Sequence, residues 1–139
     1  MATEVKWTNP NSVNLSKGLG MLYFIKVVDD TGSEFRYVGQ TRRGKSRLRE
    51  YKNNVRKIFE GKPRRTTKGQ ERYRPVHLAL AKACECGWHY DFFPIENVSI
   101  EEMNVTEQIR ISELDCTLNV KWSWFVENYH DLNMTDIPK

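Results

Sequence analysis

Short apolar runs of strand character alternate along the chain with longer stretches of helical spacing. Residues 21–28, MLYFIKVV, and 34–39, EFRYVG, are rich in β-branched and aromatic side chains. The DDTGS between them has the Asp, Thr and Gly chemistry of a tight turn, which predicts a β-hairpin. From Ser46 the period changes. Leu48, Tyr51, Val55, Ile58 and Phe59 share one face of a helix that Gly61 can end in a left-handed cap. Arg47 and Tyr51 then stand one turn apart on a neighbouring stripe. The stretch 61–74, GKPRRTTKGQERYR, has little apolar content and many basic residues, so it reads as a loop-like insertion rather than an element. Pro75 opens a second helix, PVHLALAKACEC, closed by Gly87. WHYDFFPIENV reads as a third strand, and a last helix runs from about Asn104 to Asp115. A C-terminal extension from about residue 120 is aromatic and of no clear type, and no internal repeat or low-complexity tract is present.

A chain of 139 residues can build one core and is short for two, so residues 1–139 are expected to form a single domain. It has no long apolar run, and its N-terminus lacks the basic-then-apolar layout of a secretory signal. The expectation is a soluble, cytoplasmic protein without membrane contact. Cys84, Cys86 and Cys116 form an odd set whose first two members are too close to bridge, so they read as free thiols. C-x-C also lacks the usual spacing of zinc ligands.

Charge changes the picture more. The net +4 conceals a segregation: from Arg36 to Lys82 there are sixteen Lys/Arg against three acids, Glu50, Glu60 and Glu71. That block carries +13 while the rest of the chain carries −9. Many spaced cations on one domain suit a polyphosphate chain, which points to nucleic acid as the partner.

One motif suggests another phosphate ligand. GQTRRGKS, Gly39 to Ser46, fits the phosphate-loop pattern G-x-x-x-x-G-K-[ST], with a strand before it and a helix after it. The remainder of a nucleotide hydrolase is missing, since a hairpin replaces the parallel crossover units and YDFFPIENV ends without a metal-orienting Asp. Nucleotide hydrolysis is therefore kept only as an alternative.

The hairpin tyrosines lead elsewhere. On paired antiparallel strands, Tyr23 and Tyr37 can share a face and converge near the helix that carries Arg47. Met21-Leu22-Tyr23 and Tyr37-Val38-Gly39, followed by Gln40-Thr41, together resemble the paired motifs of the GIY-YIG nuclease family, with Met21 and Leu22 replacing Gly and Ile. The family's catalytic arginine, eight residues past the second motif's glycine, falls on Arg47, and Tyr51 follows one turn on. EQIRISELDCTLN resembles the family's last helix, with Glu107 as the metal-binding acid and Asn119 as the later Asn. The resemblance spans about residues 20–120. It implies an α/β (α+β) domain with a small three-stranded antiparallel sheet flanked by helices.

The activity it implies is metal-dependent hydrolysis of DNA phosphodiesters, of the kind found in small phage endonucleases and restriction enzymes. Glu107 would hold Mg²⁺ (or Mn²⁺), a hard Lewis acid for phosphoryl oxygens. Arg47 would steady the remaining oxygens, and Tyr23 or Tyr37 would act as base, helped by neighbouring cations that favour the phenolate. Gly39, Tyr51, His77 and Asn119 are supporting positions. Arg42, Arg43, Lys45, Arg64, Arg65, Lys68, Arg72 and Arg74 would contact double-stranded DNA, with 61–74 gripping the duplex, and a homodimer or larger homo-oligomer suits double-strand cutting.

Bland roles stand beside these. Glu107 can close a capping box with Asn104, Arg47 can be a solvated cation, His77 can be structural, and Asn119 can simply turn the chain. A catalytically inactive nucleic-acid-binding module is the alternative from a different functional class.

Overall fold

The computed structural model describes residues 4–66, 69–71 and 73–119. In chain order these form β1 (Met21–Val28), β2 (Glu34–Thr41), α1 (Lys45–Phe59), β3 (Arg64–Thr66), β4 (Gly69–Glu71), α2 (Pro75–Cys86), β5 (His89–Asn97) and α3 (Met103–Glu113). Single 3₁₀ turns lie at Ile100–Glu102 and Thr117–Asn119. The fold is α+β, and its main sheet is three-stranded and antiparallel in the order β2-β1-β5.

The near-continuous apolar run of β1 suits a central strand covered on both faces, and Met21, Leu22, Tyr23, Ile25 and Val27 are all buried. The hairpin turn is built by Asp29. Its Oδ1 accepts from the Thr31 and Ser33 N–H groups, each at 2.9 Å, and from the Thr31 hydroxyl at 2.6 Å. Gly32 takes φ 89°, open to glycine at no steric cost. The resulting register sets Gly39 opposite Tyr23 and Tyr37 opposite Ile25. Strand side chains alternate between faces, so these four share one side.

Helices α1 and α2 cover that side. Tyr51 of α1 packs with ring centroids 5.6 Å from Tyr23 and 5.4 Å from Phe92, while His77 of α2 lies 5.3 Å from Tyr51. Pro75 to Cys84 are buried without a break, as befits a helix apolar nearly all round. The opposite side takes α3, tied down by Gln40 to Asn104 at 2.8 Å and by Arg110 to Glu96 at 3.0 Å.

Both free edges of the sheet are covered, which keeps unpaired strand groups from recruiting another chain. Along β5, Thr8 N–H donates to the Phe92 carbonyl at 3.0 Å and the Asn11 amide donates to the Pro94 carbonyl at 3.1 Å. Along β2, Asn119 accepts from Val38 N–H at 3.0 Å and donates to the Val38 carbonyl at 2.7 Å.

Two expectations need correction. The stretch 61–74 is not an elementless loop: β3 and β4 pair antiparallel as a small ribbon. At its base the buried Tyr73 donates from its hydroxyl to the Lys62 carbonyl at 2.7 Å, a tether that charge content could not reveal. The last helix begins at Met103 with Glu102 as its N-cap, so Asn104 lies inside it and no capping box joins Asn104 to Glu107. The C-terminal extension lies outside the described residues.

Replacing Asn119 with alanine leaves the Val38 N–H and carbonyl without their partner. The expected cost is about 1–3 kcal/mol. An unchanged urea midpoint together with unchanged Val38 amide exchange would show that this cap carries no weight.

Candidate functional site

The Tyr23 hydroxyl is the meeting point on the α1 and α2 side. It lies 2.6 Å from the Tyr51 hydroxyl and accepts from Arg47 Nε at 3.1 Å. The Arg47 guanidinium stacks 5.5 Å over the Tyr51 ring, and Tyr37 lies 6.2 Å from Tyr23. Tyr23 of β1 and Tyr37 of β2, expected to share a face near Arg47, do so, with Arg47 and Tyr51 supplied by α1; Glu107, expected around the same scissile bond, does not join them.

Gly39 is needed here for space. A Cβ at this position would overlap Cζ, Cε2 and the hydroxyl of Tyr23. The glycine opens a slot through which the Tyr23 ring reaches across β2, and Tyr23 is wholly buried as a result.

Burial governs the acid–base character of the cluster. It pushes the Tyr23 and Tyr51 phenols up, Tyr37 adds to the rise in both and Tyr23 to that of Tyr51, and the nearby Arg47 opposes this without reversing it. Both phenols therefore keep their protons, contrary to the expectation that neighbouring cations would favour a phenolate at Tyr23. Tyr37 is slightly more exposed, at 6 % against 0 % and 1 % for Tyr23 and Tyr51. Burial disfavours the Arg47 charge, but the two phenols and Glu50 more than offset this and raise its pKa further. Arg47 is thus a fixed, permanent cation and not a freely solvated one. Glu50 is missing from the sequence-level candidates. It accepts from Arg47 Nη1 at 2.8 Å and pairs with Arg43 through both its oxygens. Its one-turn spacing from Arg47 is the signal that could have marked it. Burial tends to raise its pKa, yet these two arginines hold it below the ordinary carboxylate range.

His77 belongs to the scaffold. It is 1 % exposed, packed between Tyr51 and Tyr73, and its Nδ1 accepts from the Arg74 N–H at 3.0 Å at the start of α2. Burial, reinforced by the charges of Arg64, Arg47 and Arg74, holds its pKa well below the ordinary value. A role in positioning water or phosphate does not fit this enclosure. Nor does it fit Asn119, whose amide is committed to Val38.

Glu107 stands apart from the cluster. Its Oε1 accepts from Gln40 Nε2 at 3.1 Å, and the same nitrogen donates to Asn104 Oδ1. Gln40 projects from the face of β2 opposite Gly39. Among the described residues no hydrogen bond or ion pair joins Glu107 to Arg47 or to a tyrosine. Burial raises the Glu107 pKa, partly countered by the Gln40 bond and the Arg74 charge. Arg74 also acts on His77, so one guanidinium influences both halves of the region. Among the described residues no three His, Cys, Asp or Glu side chains gather as a metal site.

Of the expected DNA contacts, Arg42, Arg43, Lys45, Arg65 and Arg74 are exposed. Arg64 is buried at 7 % and is corrected to an interior residue, while Lys68 and Arg72 lie outside the described residues. Gly39–Ser46 is laid out with β2 continuing to Thr41 and α1 starting at Lys45, so only Arg42, Arg43 and Gly44 lie between strand and helix, and a Cβ at Gly44 would overlap the Leu15 carbonyl. Its strand is also the edge of an antiparallel sheet. Comparison of the chain with protein-family models, curated proteins and solved structures finds no match.

The Gly39 slot predicts that Gly39→Ala destabilises by about 1–3 kcal/mol through overpacking. Most of that loss should disappear when the alanine is placed in a Tyr23→Leu background, and a denaturation double-mutant cycle with additive effects would refute the slot. His77 gives a pH dependence. Its folded pKa is depressed, so below about 6.5 the unfolded chain takes up a proton that the folded chain refuses. Stability is therefore present above that pH and lost as pH falls, by up to about 1.4 kcal/mol per unit. His77→Gln should flatten this slope between pH 7.5 and 5.0, and equal slopes in urea titrations would contradict it.

Proposed function

We propose that the chain is a metal-dependent DNA endonuclease of the GIY-YIG type, hydrolysing phosphodiester bonds in double-stranded DNA. One observation carries the reading: Tyr23, Tyr37, Tyr51 and Arg47 converge as the paired motifs require, with Gly39 opening the slot that lets Tyr23 meet Arg47.

Phosphodiester hydrolysis needs an activated water, stabilisation of charge on the phosphoryl oxygens and help for the leaving oxygen. Arg47 supplies the second. Two of its five N–H donors are held by Tyr23 and Glu50, so the guanidinium is oriented before a phosphate arrives. Tyr23 and Tyr51 act as protonated holders of that arginine. Tyr37, the least buried of the three, is then assigned as the base, taking the proton of the attacking water as its phenolate. Glu107, with the Asn104 oxygen one turn away, offers oxygen ligands suited to a hard divalent cation that retains water and phosphate in its other positions. When bound there, Mg²⁺ or Mn²⁺ would supply Lewis-acid polarisation of a phosphoryl oxygen. Arg42, Lys45, Arg65 and Arg74 form the exposed cationic surface for the DNA backbone. We assign the protein to the phage or restriction type, acting in the cytoplasm and as a homo-oligomer where both strands are cut.

A nucleic-acid-binding module without catalysis is the second reading, favoured by the bonding of Glu107 to Gln40 rather than to any member of the tyrosine–arginine cluster. A supercoiled-plasmid assay separates the two. The nuclease reading expects nicking or linearisation with Mg²⁺, stopped by EDTA and reduced at least about 100-fold in Arg47→Ala and Glu107→Ala while binding persists. Intact plasmid with Mg²⁺ and Mn²⁺, alongside a shifted band in a gel, supports the binding module instead.

A further inference from the structure

We propose that Glu50 stands in for a phosphate: its carboxylate holds Arg43 and Arg47 ready in the free protein and gives up Arg43, while keeping Arg47, when a phosphodiester docks. The inference rests on reading this face as a nucleic-acid site and adds a residue that the paired motifs do not contain.

Geometry supports the substitution. Glu50 Oε2 lies 2.8 Å from Arg47 Nη1 and 3.0 Å from Arg43 Nη2, while Oε1 takes Arg43 Nη1. Arg43 is thus gripped fork to fork. A carboxylate and a phosphodiester each offer a guanidinium two anionic oxygens, so the donors that fit one fit the other. Near Glu50 the described structure has no other carboxylate on these guanidinium groups; Glu60, at the far end of α1, pairs with Lys62 at 3.2 Å.

Burial decides which arginine leaves. The Arg43 side chain is 51 % exposed, so its pairing with Glu50 is weak against solvent and readily exchanged. The Arg47 side chain is 14 % exposed and is also fixed by the Tyr23 hydroxyl and the Tyr51 ring, so it stays. In the free state the carboxylate relieves repulsion between two neighbouring guanidinium groups. In the bound state it repels the phosphate slightly while continuing to orient Arg47. Glu50 is therefore a positioning residue whose charge lowers affinity and whose geometry raises turnover.

The test is fluorescence anisotropy with a labelled DNA duplex in EDTA at fixed salt, followed by turnover with Mg²⁺. Glu50→Gln should bind several-fold tighter than the wild type, and Arg43→Ala should lose more affinity in the Glu50→Gln background than alone. In the cleavage assay Glu50→Gln should show a lower kcat despite its tighter binding. Glu60→Gln controls for simple loss of negative charge, and Glu50→Ala repeats the test should the glutamine amide still hold Arg43; thermal melts verify that each variant folds. Additive effects of Glu50→Gln and Arg43→Ala, or equal tightening by Glu60→Gln, overturn the role of Glu50 and leave the nucleic-acid reading standing. A wild type that binds duplex without cutting it ends the nuclease reading but leaves the binding arm to decide on Glu50. A wild type with no affinity for duplex overturns both.

Discussion

The contact on which the site depends is the hydrogen bond between the wholly buried Tyr23 hydroxyl and Arg47, made where a guanidinium would otherwise lose its water without compensation. A charge taken out of water survives only when its donors are satisfied, and here Tyr23 and Glu50 satisfy two of them while the Tyr51 ring takes one face. The same oxygen that serves Arg47 is 2.6 Å from the Tyr51 hydroxyl, so β1 and α1 are locked together by the group that fixes the arginine. Structure and candidate chemistry share one polar network, and disturbing either disturbs both.

Around that network the fold is arranged to protect it. His77 closes the aromatic cluster from α2 while serving the start of its own helix, which requires an unprotonated Nδ1. The ribbon of β3 and β4 is tethered beside it through Tyr73, whose ring packs on His77 with centroids 5.9 Å apart. Asn119 and the N-terminal stretch then cover the two sheet edges. The polar edges of the sheet are thus satisfied within the chain, while Arg42, Lys45, Arg65 and Arg74 stand exposed to solvent.

The site has two chemically distinct parts. One is aromatic, buried and centred on a permanent cation. The other is Glu107 on α3, half-buried and held through Gln40 from the far face of β2. This division gives the binding-module reading its foothold, because among the described residues no hydrogen bond or ion pair joins Glu107 to the aromatic part.

Much of the framework was legible in the chain because local rules sufficed. The turn chemistry of DDTGS, the period change at Ser46 and the proline and glycine bounding α2 each act within a few residues, and they yielded the hairpin, α1, α2, the third strand and α3. That Tyr23 and Tyr37 share a face beside the helix of Arg47, with Tyr51 one turn from it, was also foreseen, since strand alternation and helical spacing fix which side chains share a side. Tertiary packing alone decided the rest. Whether Gly39 bends the chain or makes room, whether Arg64 meets solvent or the interior, and whether His77 and Asn119 face a ligand or the scaffold depend on residues far away in sequence. Burial is set by what packs on top, and it determines which phenols keep their protons and which cations reach solvent.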